Sequence, residues 1–220
     1  MNRREFSIFT LATLGVAAGG GYALRAYEPR SHLRPPGGVE RFESLCIKCG
    51  QCVQVCPYHS IKLLGADDGV NIATAYIDPY ERGCYLCDLF PCVLACPSGA
   101  LAHETTTIED VKMGVAVVSN LNACYSNLKK SVEEKDVTKL LKRKTYNERE
   151  EAAKKIIADN VGKTCSLCVD SCPVEGAIEI NGGVPVIKQK CVGCGVCAEV
   201  CFARVIEIAP NKTYKDIYEG

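Results

Sequence analysis

Cysteines at short, regular spacing define the chemistry open to this chain. The segment Cys46–Pro57 reads C-x2-C-x2-C-x3-C-P, and Cys84–Pro97 repeats the pattern with two extra residues before the third cysteine. Thiolates two residues apart can bind one face of an iron–sulfur cubane, while the fourth points towards a neighbouring cluster. The spacing therefore predicts that such motifs work in pairs.

The first pair of motifs accounts for eight cysteines. In two-cluster ferredoxins the last cysteine of each run ligates the other run's cluster. Set 1, for cluster 1, is then predicted to be Cys46, Cys49, Cys52 and Cys96. Set 2, for cluster 2, is predicted to be Cys84, Cys87, Cys92 and Cys56.

The second pair of motifs lacks one ligand. Aligned on its C-P end, the third motif has Gly162 where a first cysteine would stand, and Cys124 is the cysteine outside every motif. Cys124 could supply the vacant thiolate if the intervening segment looped out. Set 3 is then predicted to be Cys124, Cys165, Cys168 and Cys201. Set 4 is predicted to be Cys191, Cys194, Cys197 and Cys172.

This assignment uses all sixteen cysteines of the chain and predicts four [4Fe-4S] clusters as cofactors. The alternative is that Cys124 is a buried free thiol beside a three-iron cluster or one with an exogenous ligand. Zinc is a different interpretation of C-x2-C pairs, but zinc sites usually combine separated pairs instead of triplets ending in C-P.

The N-terminus resembles an export signal. Arg3 and Arg4 precede an apolar run of 19 residues from Phe6 to Leu24, which is typical of a bacterial twin-arginine signal. The run is nearly long enough to span a bilayer and no clear cleavage site follows it, so a retained membrane anchor stays open. An exported chain with an even number of cysteines could instead form disulfides. Export of an already folded protein favours clusters inserted in the cytoplasm.

Charge and motifs exclude other functions. Lys plus Arg equals Asp plus Glu at 26 each, which gives no basis for binding nucleic acid. The three histidines, His32, His59 and His103, do not accompany an acid and a nucleophile at a suggestive spacing. Neither a P-loop nor a dinucleotide-binding glycine motif is present. We therefore expect no catalytic residues.

Short elements are expected around the motifs. Residues 177–189 contain two apolar strands about an Asn-Gly-Gly turn, and residues 60–64 with 74–79 predict an equivalent pair. Residues 126–160 are dense in Lys and Glu and predict one or two surface helices. The predicted fold class is α+β, with two bacterial dicluster ferredoxin-like units in tandem, an N-terminal apolar helix and a helical insertion.

The predicted organisation follows these segments. It comprises a signal or anchor over 1–27, a linker over 28–41, a first dicluster unit over 42–123, a second over 124–209 that includes the insertion, and a tail over 210–220.

The motifs together resemble a known family. The twin-arginine start, the paired cysteine motifs, FPCVLACPSGAL, MGVAVVSNLNACYS and CVGCGVC are similar to the NapG/MauM family of periplasmic ferredoxin-type subunits. In that family the third motif also begins with Gly and a detached cysteine lies upstream, which matches Gly162 and Cys124. The departure is that the family's detached cysteine lies close to its motif, whereas here the charged segment intervenes.

The resemblance implies a function in electron transfer at the outer face of the inner membrane. Electrons would pass from quinol, through a polytopic NapH-like quinol dehydrogenase subunit, towards a periplasmic reductase such as nitrate reductase, usually through a c-type cytochrome. Two alternatives remain: an assembly or maturation protein for a periplasmic molybdoenzyme, and an electron-transfer subunit of another exported oxidoreductase complex.

Overall fold

The computed structural model describes residues 32–220, so the predicted signal, its apolar helix, Arg3 and Arg4 lie outside the described residues. Six of the eight helices in this part are single turns of four or five residues, and four of these six carry a cysteine. They are α1 Phe42–Leu45, α2 Gln51–Gln54, α3 Pro91–Leu94, α4 Glu134–Leu141, α5 Glu148–Asp159, α6 Leu167–Asp170, α7 Val196–Val200 and α8 Tyr214–Tyr218. Turns of 3-10 helix span Ala66–Asn71, Ile108–Asp110 and Leu121–Ala123.

Six short strands of the described chain form three antiparallel pairs. They are β1 Ile61–Leu63, β2 Ala75–Ile77, β3 Gly114–Val118, β4 Ile178–Asn181, β5 Val184–Ile187 and β6 Ile206–Pro210. The predicted hairpins are confirmed: Ile61 lies opposite Ile77, and Ile178 lies opposite Ile187. Gly182 and Gly183 both have positive φ, which explains why an Asn-Gly-Gly turn suits this connection.

The pair β3–β6 joins segments that are far apart in sequence. Val115 lies opposite Ala209 and Val118 opposite Ile206, so a strand from the end of the predicted first unit pairs with the last strand of the second. Residues 32–220 form one compact unit. The predicted limits of the two dicluster units therefore follow the sequence repeat, while backbone pairing crosses the boundary at 123–124.

The predicted linker is partly integrated into the fold. Leu33 is buried and forms a β-bridge with Ile77, and Gly38 forms one with Leu101. The linker composition did not reveal this packing because its two apolar residues, Leu33 and Val39, stand among prolines, glycines and arginines.

Cysteines take a large share of the core. The largest cluster of buried residues contains Cys84 and Cys92 from the first half together with Cys194 and Val196 from the second. A separate apolar cluster lies under the insertion, where Val137 and Leu140 of α4 and Ile157 of α5 pack with other buried residues. The predicted surface helices thus exist as two helices with a buried side.

The two halves meet through backbone at Gly83. The Cys84 N–H donates to the carbonyl oxygen of Cys194 at 2.7 Å. A Cβ at position 83 would lie 2.4 Å from the backbone nitrogen of Val196, closer than real Cβ atoms approach, so the contact needs glycine. Among residues 32–220, no helix is long and apolar enough to cross a membrane.

Candidate iron–sulfur centres

Set 1 lines one cavity at the start of the first half. Cys46 directly follows α1, and its N–H donates to the carbonyl oxygen of Phe42 at 2.9 Å. The chain then reverses at Gly50, which has φ +73° and precedes α2 with its Cys52. Cys96 follows α3 and reaches the same cavity, so all four predicted members are brought together. Cys49 is the exposed one among the sixteen cysteines.

Set 2 lines a second cavity, formed by Cys56, Cys84, Cys87 and Cys92. The two extra residues of its motif lie in the loop before α3. Leu89 and Phe90 of this loop both have positive φ, and Pro91 then begins α3. The Ser60 N–H donates to the Cys56 sulfur at 3.4 Å. Hydrogen bonds of this kind to ligand sulfur tune cluster potentials.

Set 3 lines a cavity in the second half and includes the detached Cys124, with Cys165, Cys168 and Cys201. Cys124 is buried at the end of the 3-10 turn Leu121–Ala123. The insertion loops out because its ends are tied together: the Val132 N–H donates to the Lys163 carbonyl oxygen at 2.9 Å, and the Gly162 N–H donates to that of Val132 at 2.8 Å. Gly162 is not among the residues that line this cavity.

Set 4 lines the remaining cavity of the four, formed by Cys172, Cys191, Cys194 and Cys197. Gly195, with φ +86°, reverses the chain into α7, which carries Cys197. Strand β3 contributes a hydrogen bond from the Ala116 N–H to the Cys191 sulfur at 3.5 Å. This contact gives the long-range pairing of β3 with β6 a direct role at the site.

The four cavities are similar in size. With their openings to solvent, sets 1 to 4 enclose about 360, 320, 390 and 300 Å³. Within residues 32–220, no group of three or more Cys, His, Asp or Glu side chains converges where a single metal ion would sit. The thiols of each set instead surround a space, which is the arrangement that a multi-atom cluster requires. All sixteen cysteines are free thiols in the structure.

The thiols of a set influence one another electrostatically. Burial, with Cys46 and Cys49 close by, raises the pKa of Cys52 to about 11. Burial, with Cys165, Cys201 and Cys124 close by, raises the pKa of Cys168 to about 12. Such thiols stay protonated at neutral pH unless a cation stabilises the thiolates, which is what bound iron does. Because the four cysteines of each set line one cavity, the donor sets fit [4Fe-4S] clusters, and the assignment of each cysteine stays a prediction.

A buried charge network, which the sequence did not reveal, lies between the halves and the insertion. Glu199 on α7 accepts from the Gly83 N–H at 2.7 Å and pairs with Arg143, which also donates to the Glu81 carbonyl oxygen. Burial raises the pKa of Glu199, and the Arg143 guanidinium opposes that shift. The position of Glu199 inside a cysteine motif gave no indication that its side chain would face inward.

A second carboxylate anchors the insertion on the first half. Glu150 on α5 is 3% exposed and binds His59 at 2.9 Å, Arg82 and the Tyr146 N–H at 2.7 Å. Burial acts to raise the pKa of Glu150, but the hydrogen bonds from His59 and Tyr146 outweigh it and leave the pKa below its usual value. The Asn147 side chain adds a bond to the Pro57 carbonyl oxygen at 2.6 Å.

The other histidines have structural partners too. His32 binds Asp68 at 2.8 Å, and His103 binds the carbonyl oxygen of Cys96 at 2.9 Å. With His59 held by Glu150, each histidine contacts a carboxylate or a carbonyl.

Family models match both halves of the chain. A 4Fe-4S dicluster domain matches residues 45–100, and a 4Fe-4S binding domain matches residues 184–207. These matches cover sets 1 and 2 and the last motif. They support 4Fe-4S clusters as the cofactor without fixing how many the chain holds.

Similar proteins align over nearly the whole chain. The methylamine utilization ferredoxin-type protein MauM of Paracoccus denitrificans is 32% identical over 219 residues, which cover 91% of this chain and 83% of the relative. The ferredoxin-type protein NapG of Escherichia coli is 30% identical over 219 residues, covering 90% and 80%. No solved structure matches the chain. Shared identity over this length shows that the chain belongs to the NapG/MauM family of ferredoxin-type electron-transfer proteins.

Proposed function

We propose that this chain is a four-cluster electron relay between a membrane quinol dehydrogenase partner and a periplasmic acceptor. The observation that carries the proposal is the contact of sets 2 and 4 at the junction of the halves, where the Cys84 nitrogen and the Cys194 carbonyl oxygen lie 2.7 Å apart. Each [4Fe-4S] cluster, when bound, would accept and release one electron.

The protein's own residues order the four sets. Sets 1 and 2 interlock because α2 and α3 each lead from a cysteine of one set to a cysteine of the other, and sets 3 and 4 interlock through α6 and α7 in the same way. With sets 2 and 4 in contact, the proposed electron path runs through set 1, set 2, set 4 and set 3. Sets 1 and 3 are then the terminal sets of this path, where partners would exchange electrons.

The backbone junction between the halves is buried. Gly83, Cys84 and Cys194 pack with Val196, which is fully buried, while the Arg143–Glu199 pair lines a cavity on the side towards the insertion. Burial of this contact would lower the reorganisation energy that accompanies each electron transfer between sets 2 and 4.

The proposed location is the periplasm, with the N-terminus as a twin-arginine signal or a retained anchor. The donor would be a polytopic NapH-like membrane subunit, and the acceptor a c-type cytochrome or a reductase such as nitrate reductase. The relatives' names, both of which describe ferredoxin-type proteins and one of which mentions methylamine utilization, support electron transfer, and the partners are part of the proposal. Replacing Arg3 and Arg4 together by Lys should leave cluster-loaded protein in the cytoplasm.

Deleting the chain tests the function. We expect slower quinol-dependent respiration with a periplasmic acceptor, while the terminal reductase keeps its activity with artificial dyes. Loss of dye-linked activity as well would instead support a maturation protein. Unchanged respiration would show that electrons bypass this chain and would contradict the proposal.

A further inference from the structure

We infer that an apolar surface around Cys49 is where this chain docks on an integral membrane protein partner. This inference rests on the proposed function and adds to it the face and the end of the molecule that receive the donor. The surface, named the Cys49 face below, consists of Ile47, Cys49, Leu63, Val70 and Ile72.

The Cys49 face exposes several apolar side chains side by side. Val70 is 82% exposed and Ile47 is 63% exposed, and Leu63 and Ile72 are also exposed. Single exposed apolar residues are ordinary, whereas a contiguous group marks an interaction site. The four apolar residues of the Cys49 face therefore mark an interaction site only if contacts join them into one group.

Contacts connect the parts of this face. The Lys48 ammonium donates to the Val70 carbonyl oxygen at 3.2 Å, which ties the cysteine loop to the turn Ala66–Asn71. Ile47, Cys49 and Leu63 line the same cavity of set 1. Ile72 lies two residues beyond Val70, where this turn ends. The exposed apolar group thus surrounds the most accessible cysteine of the chain.

The chain enters the described structure beside this face. His32 binds Asp68, two residues before Val70, at 2.8 Å. Leu24, at the end of the apolar N-terminal run, is eight residues from His32, and such a segment spans at most about 30 Å. A retained anchor would hold His32, which contacts the turn of the Cys49 face, within about 30 Å of the membrane surface.

The charges next to the face favour a protein over lipid. Asp67 and Asp68 adjoin Val70 on the turn, and anionic headgroups would repel these carboxylates. The Lys48 ammonium donates to the Val70 carbonyl oxygen and is therefore not directed at lipid headgroups. A membrane protein with an apolar surface and basic residues at its edge would match both the apolar side chains and the carboxylates, and it is the partner that we propose.

Photo-crosslinking in the full chain tests the inference. A photoreactive amino acid would replace Val70 in one variant and Ile217 of α8, which is also exposed but off this face, in a matched control. We expect irradiated cells to yield a covalent adduct of a polytopic membrane protein at position 70 and none at position 217. An adduct with lipid or a soluble protein, equal yields at both positions, or no adduct at position 70 would overturn the inference.

A charge substitution separates this inference from the proposed function. In membranes that supply quinol, Val70→Glu should lower the rate at which the chain is reduced by a factor of roughly ten or more. Its iron content and its reduction by dithionite should not change. Ile217→Glu should leave all three quantities unchanged. Reduction of Val70→Glu at the wild-type rate would overturn the docking face alone. A wild-type chain that quinol does not reduce would overturn the proposed function.

Discussion

The two halves of this protein build similar cavities from different sequences. In the first half, set 1 takes three predicted ligands from one continuous motif, and Cys46 follows directly on α1. In the second half, the first predicted ligand of set 3 is Cys124, forty-one positions before Cys165, and α4 and α5 fill the interval. Four cysteines line one cavity in both cases, although the chain connects them differently.

The halves also differ in how their outer sets meet solvent. Set 1 contains the exposed Cys49 within an apolar surface, whereas Cys124 of set 3 is 8% exposed and lies beside Tyr125 and Phe202, whose ring centroids are 4.7 Å apart in an edge-to-face arrangement. Lys130 lies over the Tyr125 ring, so set 3 adjoins aromatic and basic side chains, whereas set 1 adjoins exposed apolar side chains beside Lys48. Different partners at the two ends are the expected consequence.

The largest expected effect comes from removing the ligand that distinguishes the halves. Cys124→Ser should lower the iron content by about a quarter or leave a three-iron form of one cluster, because a serine oxygen is a harder and more basic ligand than thiolate. Anaerobic iron analysis with electron paramagnetic resonance measures this loss.

Adding Gly162→Cys to that variant sharpens the comparison. Alignment of the motifs makes residue 162 the missing position, but Gly162 has φ +84° and lies outside the cavity, and a Cβ added there would meet no atom within 4 Å. We therefore expect no recovery of iron. Full recovery, or undiminished iron in Cys124→Ser alone, would contradict the role assigned to Cys124.

An intermediate effect is expected at the junction of the halves. Gly83→Ala places a methyl group against the backbone of Gly195 and Val196, which cannot rotate away. We expect destabilisation of more than the roughly 1–3 kcal/mol of ordinary overpacking, and an apparent melting temperature lower by about 6 °C or more. Anaerobic melting followed by cluster absorbance measures it.

Gly65→Ala is the matched control for that variant, because Gly65 has open space around its Cα and an ordinary φ. Its melting temperature should stay within about 2 °C of the wild type. Equal shifts in both variants would show that the halves are less tightly joined than the structure describes.

The smallest effect is expected in the charge network that the insertion adds. Arg143→Gln removes the cation from Glu199 but leaves the Gly83 N–H as a partner, so the loss of stability should be about 1–2 kcal/mol. Lys142→Gln, one residue earlier and without an ion pair among the described residues, should change little. The melting temperatures of the two variants test this. If Lys142→Gln lowered the melting temperature more than Arg143→Gln did, the stabilising role of the Arg143–Glu199 pair would be contradicted.

The parts of the site that depend on local spacing could be predicted from the sequence. C-x2-C triplets, the turn at Gly182 and the hairpins flanking each half follow from short-range geometry, and the structure brings each predicted set of cysteines together. Counting thiolates also suggested Cys124, although its distance from the motif gave no local signal.

Long-range features could not be predicted in the same way. The pairing of β3 with β6 connects residues about ninety positions apart, and neither strand has a turn that specifies its partner. The sequence around Glu150 is typical of solvated charges, and the sequence around Glu199 gives no sign of a buried carboxylate. Only the assembled fold brings Arg82 and Arg143 to these side chains. Burial of charge depends on such partners, which sequence spacing does not encode.

We propose that all sixteen cysteines serve four [4Fe-4S] centres, and a count of iron and sulfide is the decisive test. Anaerobic analysis of iron and acid-labile sulfide in the full chain, combined with electron paramagnetic resonance of the reduced protein, counts and types the clusters. We expect about sixteen irons and sixteen sulfides per chain, all in cubanes. Zinc in place of iron, or cysteines largely in disulfides, would contradict it.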